Sequence, residues 1–332
     1  MNNLKKLGLT ALAGSLAVSS AYAAEMTVSG ATLLTYTSEH DNETTGNPFG
    51  MKTNIAFTAS GDVNGYTVSY MQTSKDQFAG MSSARLSVDM GDMGTIAFDQ
   101  GSGSGLATID DKTPTAAEEI WDGLDTTTSG RVGAVGSSGV FNYIKDLGGM
   151  TLNAAVRRGS GTNNSDGSSS GTSLGSGYDF ALTGSGDMLG VDGLSWGVGY
   201  GEVEASQANI TTGDEGDKED MTAYVTYAMG SFVVGYQESA EDAGGTGGTN
   251  EYATRWGIAF NVNENFSISY GEAETEFAKP GAAHVTEDLE GFAVAYTMGS
   301  MKIAGNMNEG SAMGGTSGTD DSMTEIALSF AF

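Results

Sequence analysis

The chain has 332 residues with 51 Gly, 3 Pro and no Cys, and its 42 acidic residues outnumber 14 basic ones to leave a formal net charge of −28. Without cysteine it has neither disulfides nor thiolate metal sites, so its stability rests on burial and backbone hydrogen bonds. So acidic a surface repels phosphate backbones, which excludes DNA and RNA as partners and makes cations its natural company.

The first residues, MNNLKKLGLTALAGSLAVSSAYAAE, begin with Lys5 and Lys6, continue as an uncharged apolar run from Leu7 to about Val18, and close on the small-x-small site Ala21, Tyr22, Ala23. That order predicts a cleaved secretory signal peptide over 1–23, leaving 24–332 as one mature domain. The apolar part of the leader is too short for a membrane span. No later stretch of about 20 apolar residues exists, so a helical anchor is excluded after cleavage.

From there on, apolar residues recur at every second position. MKTNIAFTAS places Met51, Thr53, Ile55, Phe57 and Ala59 on one side and Lys52 on the other. The same alternation runs through YTVSYM (66–71), ARLSVDM (84–90), LSWGVGY (194–200), MTAYVTYAM (221–229), SFVVGYQ (231–237), EYATRWGIAF (251–260), FSISYGE (266–272) and GFAVAYTM (291–298). One oily face and one polar face is the signature of strands. The connections alternate in length. Short turns are predicted at 61–65, 91–94, 146–149, 187–193, 229–231, 261–265 and 298–300; longer polar loops lie near 38–49, 75–80, 101–130, 159–176, 203–219, 238–250, 275–288 and 308–321.

This makes sixteen strands, seven turns and eight loops, with both termini on one side. A soluble sandwich has no reason to gather every long loop at one end. An outer-membrane barrel does, with short periplasmic turns, long extracellular loops, an apolar exterior and a polar interior. In lipid the strands must close on themselves, because no backbone group can remain unsatisfied. The predicted fold is therefore all-β, a transmembrane antiparallel β-barrel of 16 strands. Phe57, Tyr66, Tyr70, Tyr227, Phe232, Phe260, Phe266 and Tyr296 fall near strand ends, as aromatic girdles do.

The chain ends SMTEIALSFAF, with Ile326, Leu328, Phe330 and Phe332 on one face. This spacing resembles the terminal strand of outer-membrane proteins, which implies that Phe332, Phe330 and Leu328 are a signal to the barrel assembly machinery. The longest connection, 101–130, carries Asp110, Asp111, Glu118, Glu119, Asp122 and Asp125 against the single Lys112, and TAAEEIW within it suits one or two helical turns capped by Thr113 or Thr115.

In layout the mature chain resembles the general diffusion porins of Gram-negative bacteria. In that family the third loop, after the fifth strand, folds into the lumen and sets carboxylates opposite basic residues on the wall. GRVGAV, 130–135, is similar to the stretch that opens the sixth strand of enteric porins, which implies a wall position for Arg131. Lys52 and Arg85 supply further matching charges on polar faces, and Arg157 and Arg255 share those faces with a looser match. The Lys-poor, Met-rich style with a repeated MGS resembles alphaproteobacterial porins, whereas the PEFGG type of loop tip is missing. The resemblance implies a homotrimer among outer-membrane lipids and lipopolysaccharide, passing small hydrophilic solutes and ions.

Acids facing bases across a narrow aqueous gap give a strong transverse field, and an excess of acids favours cations. Further acids in GDEGDKED (213–220), EDAGG (241–245), TEDLE (286–290) and GTDD (318–321) suit Ca²⁺ or Mg²⁺, although EF-hand spacing is lacking. His40 and His284 stand in no metal or nucleophile motif, which argues against an enzyme. Two other readings stay open: a channel specific for a sugar or nutrient, and a secreted Ca²⁺-binding β structural protein.

Overall fold

The computed structural model describes residues 25–41, 44–78, 80–126, 132–133, 135–136, 138–159, 175–205, 216–245 and 247–332. The expected leader and Arg131 lie outside the described residues.

Sixteen strands form one closed antiparallel sheet. They are β1 (Glu25–Asp41), β2 (Phe49–Val63), β3 (Tyr66–Ser74), β4 (Met81–Asp89), β5 (Thr95–Gln100), β6 (Ser138–Asp146), β7 (Met150–Arg157) and β8 (Gly177–Ser185). The ring continues through β9 (Leu194–Val203), β10 (Lys218–Met229), β11 (Phe232–Asp242), β12 (Asn250–Asn261), β13 (Phe266–Ala278), β14 (Val285–Met298), β15 (Met301–Ser311) and β16 (Asp320–Ala331). Each strand pairs with its sequence neighbours, and β1 closes against β16 with Thr32 opposite Phe330, Leu34 opposite Leu328 and Tyr36 opposite Ile326. All seven predicted short turns fall between consecutive strands at one rim, and the eight loops fall at the other.

Turn chemistry fixes registers locally. Between β2 and β3, Asn64 and Gly65 take φ of 56° and 86°, the left-handed pair of a two-residue hairpin turn, and Asp62 Oδ1 accepts the Gly65 N–H at 3.2 Å. Alternation then sends Val234, Tyr236, Tyr252, Trp256, Phe292 and Ile303 outward, all well exposed on the barrel exterior. Stacked Phe232 and Phe260, 4.4 Å apart, sit near the short-turn rim.

The seam runs one residue past the last strand. Gly30 N–H donates to Phe332 O at 2.8 Å and Phe332 N–H donates to Gly30 O at 2.9 Å. A Cβ on Gly30 would lie 2.9 Å from Phe332 Cε2, so the terminal ring covers the one outward position on β1 that has no side chain to obstruct it.

A barrel wall alone has no core, and the buried apolar clusters here lie inside, between the wall and the long loop. Trp121 and Leu124 pack with Ala273, Leu289, Met313 and Met323; Leu106, Ile109 and Val132 pack with Ala181. Two local expectations fail at this loop. TAAEEIW forms turns and no helix; the helical turn in the loop is a 3₁₀ turn at Gly105–Thr108. Of the GRVGAV stretch, expected at the opening of the sixth strand, the described Val132 and Val135 precede β6: both are buried in the interior clusters, and the strand starts at Ser138.

Candidate functional site

The loop between β5 and β6 folds into the barrel because the inner wall satisfies its main chain. At the root, Arg85 Nη1 on β4 donates to Gly103 O at 3.0 Å, and Asp99 on β5 accepts Ser102 N–H and Ser104 Oγ–H. Asp179 on β8 then ties both limbs, accepting Leu106 N–H at 3.0 Å from the outgoing limb and Val135 N–H at 3.1 Å from the returning one. Gln237 on β11 accepts Lys112 N–H and donates to Ile109 O, each at 2.8 Å.

Further around the ring, Arg255 Nη2 on β12 donates to Asp110 O at 2.8 Å while its guanidinium lies 5.4 Å from the centre of the Trp121 ring. Ser269 on β13 accepts Ala116 N–H at 2.8 Å. Asn308 Nδ2 on β15 donates to both Glu119 O and Asp122 O at 2.9 Å. Glu287 on β14 accepts Thr126 Oγ1–H, and Asp321 on β16 accepts Asp125 N–H. The loop is thus hydrogen-bonded to β4, β5, β7, β8 and each of the strands β11–β16. A segment fastened at so many main-chain groups is a fixed part of the interior.

With its backbone turned to the wall, the loop gathers Asp111, Glu118, Glu119 and Asp122. The Glu118 carboxyl faces Asp122 and the Glu119 carboxyl faces Asp111, while Asp122 Oδ2 accepts the Glu119 N–H at 3.1 Å. Withdrawal from water is the first cause that raises the Glu118 carboxyl above its ordinary range; Asp122 and Glu325 add to it and Lys302 opposes it. Glu119 is pushed up to about 8, first by burial and then by Asp111, Asp122 and Glu118. Asp110 and Asp125 stand elsewhere along the loop and lend main-chain groups to its anchoring.

The basic residues divide. Lys52 is exposed at an inward position of β2, opposite Leu33. Arg85 and Arg157 are half-buried and hold loop carbonyls, Gly103 O and Val135 O. Arg255, expected on the open pore wall, is 1% exposed beneath the loop and so ties the loop down without reaching the aqueous gap. Three residues of the site escaped sequence reasoning: Lys302 and Glu325, whose charges act on Glu118, and Asn308. Alternation in MKIAGNMNE and SMTEIAL marks all three as inward, but nothing local marks them as facing a loop nearly two hundred residues earlier. Among the described residues, no group of three or more His, Cys, Asp or Glu side chains is arranged to hold a metal ion.

No protein-family model and no curated protein matches this chain. Solved structures do. Salmonella typhi OmpF in complex with daunomycin is 12% identical, with 93% of this chain and 98% of that chain covered and a TM-score of 0.68. An anion-selective porin from Comamonas acidovorans is 13% identical, with 93% and 100% covered and a TM-score of 0.65. The trimer form of OmpT, an outer membrane protein of Vibrio cholerae, is 12% identical, with 93% and 100% covered and a TM-score of 0.66. This chain has the fold of those barrels.

Proposed function

We propose that this chain is an outer-membrane porin: a water-filled, non-enzymatic channel for passive diffusion of small hydrophilic solutes and ions, with a preference for cations. The observation that carries the reading is the loop laid along the inner wall with Asp111, Glu118, Glu119 and Asp122 clustered on it, inside a barrel whose outer face is apolar. A polar interior within a lipid-compatible exterior is a route for water and what dissolves in it.

The sign of the preference comes from charge rather than fold, since the Comamonas barrel of the same architecture is anion-selective. Here an acid-rich loop in a chain of net charge −28 concentrates cations at the narrowest stretch. A homotrimer is the proposed assembly, by analogy with the trimeric Vibrio cholerae barrel. The leader would direct export, and Phe332, whose backbone completes the β1–β16 seam, would present the closing strand to the assembly machinery.

Planar-bilayer recording of the refolded mature chain under a salt gradient tests this. Stepwise conductance in the nanosiemens range with a cation-directed reversal potential is the expected result. A folded barrel that inserts and stays silent would replace open diffusion with a plugged or structural role.

A further inference from the structure

A column of glycines crosses the inner face of four adjacent strands. Gly235 pairs opposite Gly257, Gly257 opposite Gly271, and Gly271 opposite Gly291. Each is flanked by an outward aromatic, Tyr236, Trp256, Tyr270 and Phe292 in turn, so the column lies wholly on the lumen side. Glycine weakens a strand by adding backbone entropy and contributing no packing, and its presence there marks close approach of another chain segment.

That segment is the loop. A Cβ on Gly235 would lie 2.5 Å from Pro114 Cδ, and one on Gly257 would lie 3.0 Å from Pro114 O. On Gly271 it would lie 3.3 Å from Ile120 Cγ2 and 3.0 Å from Trp256 O of the wall; on Gly291 it would lie 2.8 Å from Ile120 Cγ2, 2.9 Å from Ile120 Cβ and 2.6 Å from Asn308 Oδ1, the side chain that ties the loop. Pro114 and Ile120 thus rest directly on bare backbone. Ties on either side, Gln237 to Lys112 and Asn308 to Glu119 and Asp122, stop the segment from sliding along the wall to escape a clash.

We propose that Gly235, Gly257, Gly271 and Gly291 set the width of the channel: they are a recessed bed whose depth fixes how far the loop, and Glu118 with it, stands into the lumen. This rests on the diffusion-channel reading above. A methyl group at Gly257 or Gly271 needs the loop to give by a few tenths of an ångström, and one at Gly235 or Gly291 needs a larger displacement. Because the segment is tethered at both ends, the lift is directed toward the pore axis. Solutes are then sorted by size at positions that touch no solute.

The test is single-channel conductance and liposome swelling with sugars of increasing size, on Gly235→Ala, Gly291→Ala, Pro114→Ala and the pair Gly235→Ala with Pro114→Ala. Heat-modifiable gel migration checks that each barrel is folded. The glycine variants are expected to lose conductance, up to about twofold, because current scales with the free cross-section, and to exclude large sugars more than small ones. Pro114→Ala alone is expected to conduct at least as well as wild type. Combined with Gly235→Ala it restores conductance, because the Pro114 Cδ that a Gly235 Cβ would strike is gone, which a merely structural role for the glycine would not produce. Folded glycine variants with wild-type conductance and sieving overturn the proposal while leaving the channel reading intact. If a glycine variant fails to fold, a pair that folds yet stays narrowed overturns it. A silent wild-type barrel removes the channel reading and this inference together.

Discussion

The inner wall under the loop and the inner wall at β2 obey the same alternation and end in different media. Beneath the loop, Gln237 and Arg255 are 0% and 1% exposed and spend their donors on loop carbonyls. Lys52, also inward, remains open to the lumen. An inward charge is therefore a pore charge only where nothing is laid over it. Buried polar groups must be paired, and the loop main chain supplies the pairing on one side while water supplies it on the other.

Arg255→Ala should break this contrast most severely. Removing a buried guanidinium that serves Asp110 O is expected to destabilise the barrel by about 3 kcal/mol, read as a lower denaturation midpoint in detergent, and to make the open-channel current noisier. Asn308→Ala leaves the carbonyls of Glu119 and Asp122 without this donor; a loss of about 1–3 kcal/mol in the same unfolding measurement is expected. Replacing Asp111, Glu118, Glu119 and Asp122 together by their amides should leave the fold in place and move the reversal potential away from cation preference. No movement would mean the cluster does not face the current.

The pH dependence follows from Glu119, whose carboxyl holds its proton up to about 8. Cation preference should rise as pH passes upward through that value, and Glu119→Gln should flatten the step. Stability runs the opposite way: the folded state binds this proton more tightly than the unfolded chain, so its contribution is full below the ordinary carboxyl range and is lost as pH climbs through about 8. The smallest effect belongs to Lys52→Met, a change within about 0.5 kcal/mol in stability accompanied by a slight gain in cation preference.

Much of the barrel was legible beforehand. The turn read at 229–231 separates β10, ending at Met229, from β11, starting at Phe232, and the loop read at 275–288 brackets the gap between Ala278 and Val285. The failures cluster at the loop. Over TAAEEIW the chain makes single turns, Asp122 N–H to Glu119 O and Leu124 N–H to Trp121 O, while Ser269 and Asn308 hold its main chain against the wall in place of a continuous helix. Strand β6 starts late because Val135 gives its N–H to Asp179 and its side chain to an interior cluster. The glycine column was visible only as four separate glycines beside aromatics.

Strand number, facing and turn positions were thus set by the sequence itself, since period-two hydrophobicity and left-handed turn residues act between near neighbours. Which inward residues line water, which fasten the loop and how deep the loop lies were decided by the closed tertiary structure. Those outcomes depend on pairs such as Asn308 with Glu119 and Gly291 with Ile120, which meet only once sixteen strands have closed into a ring.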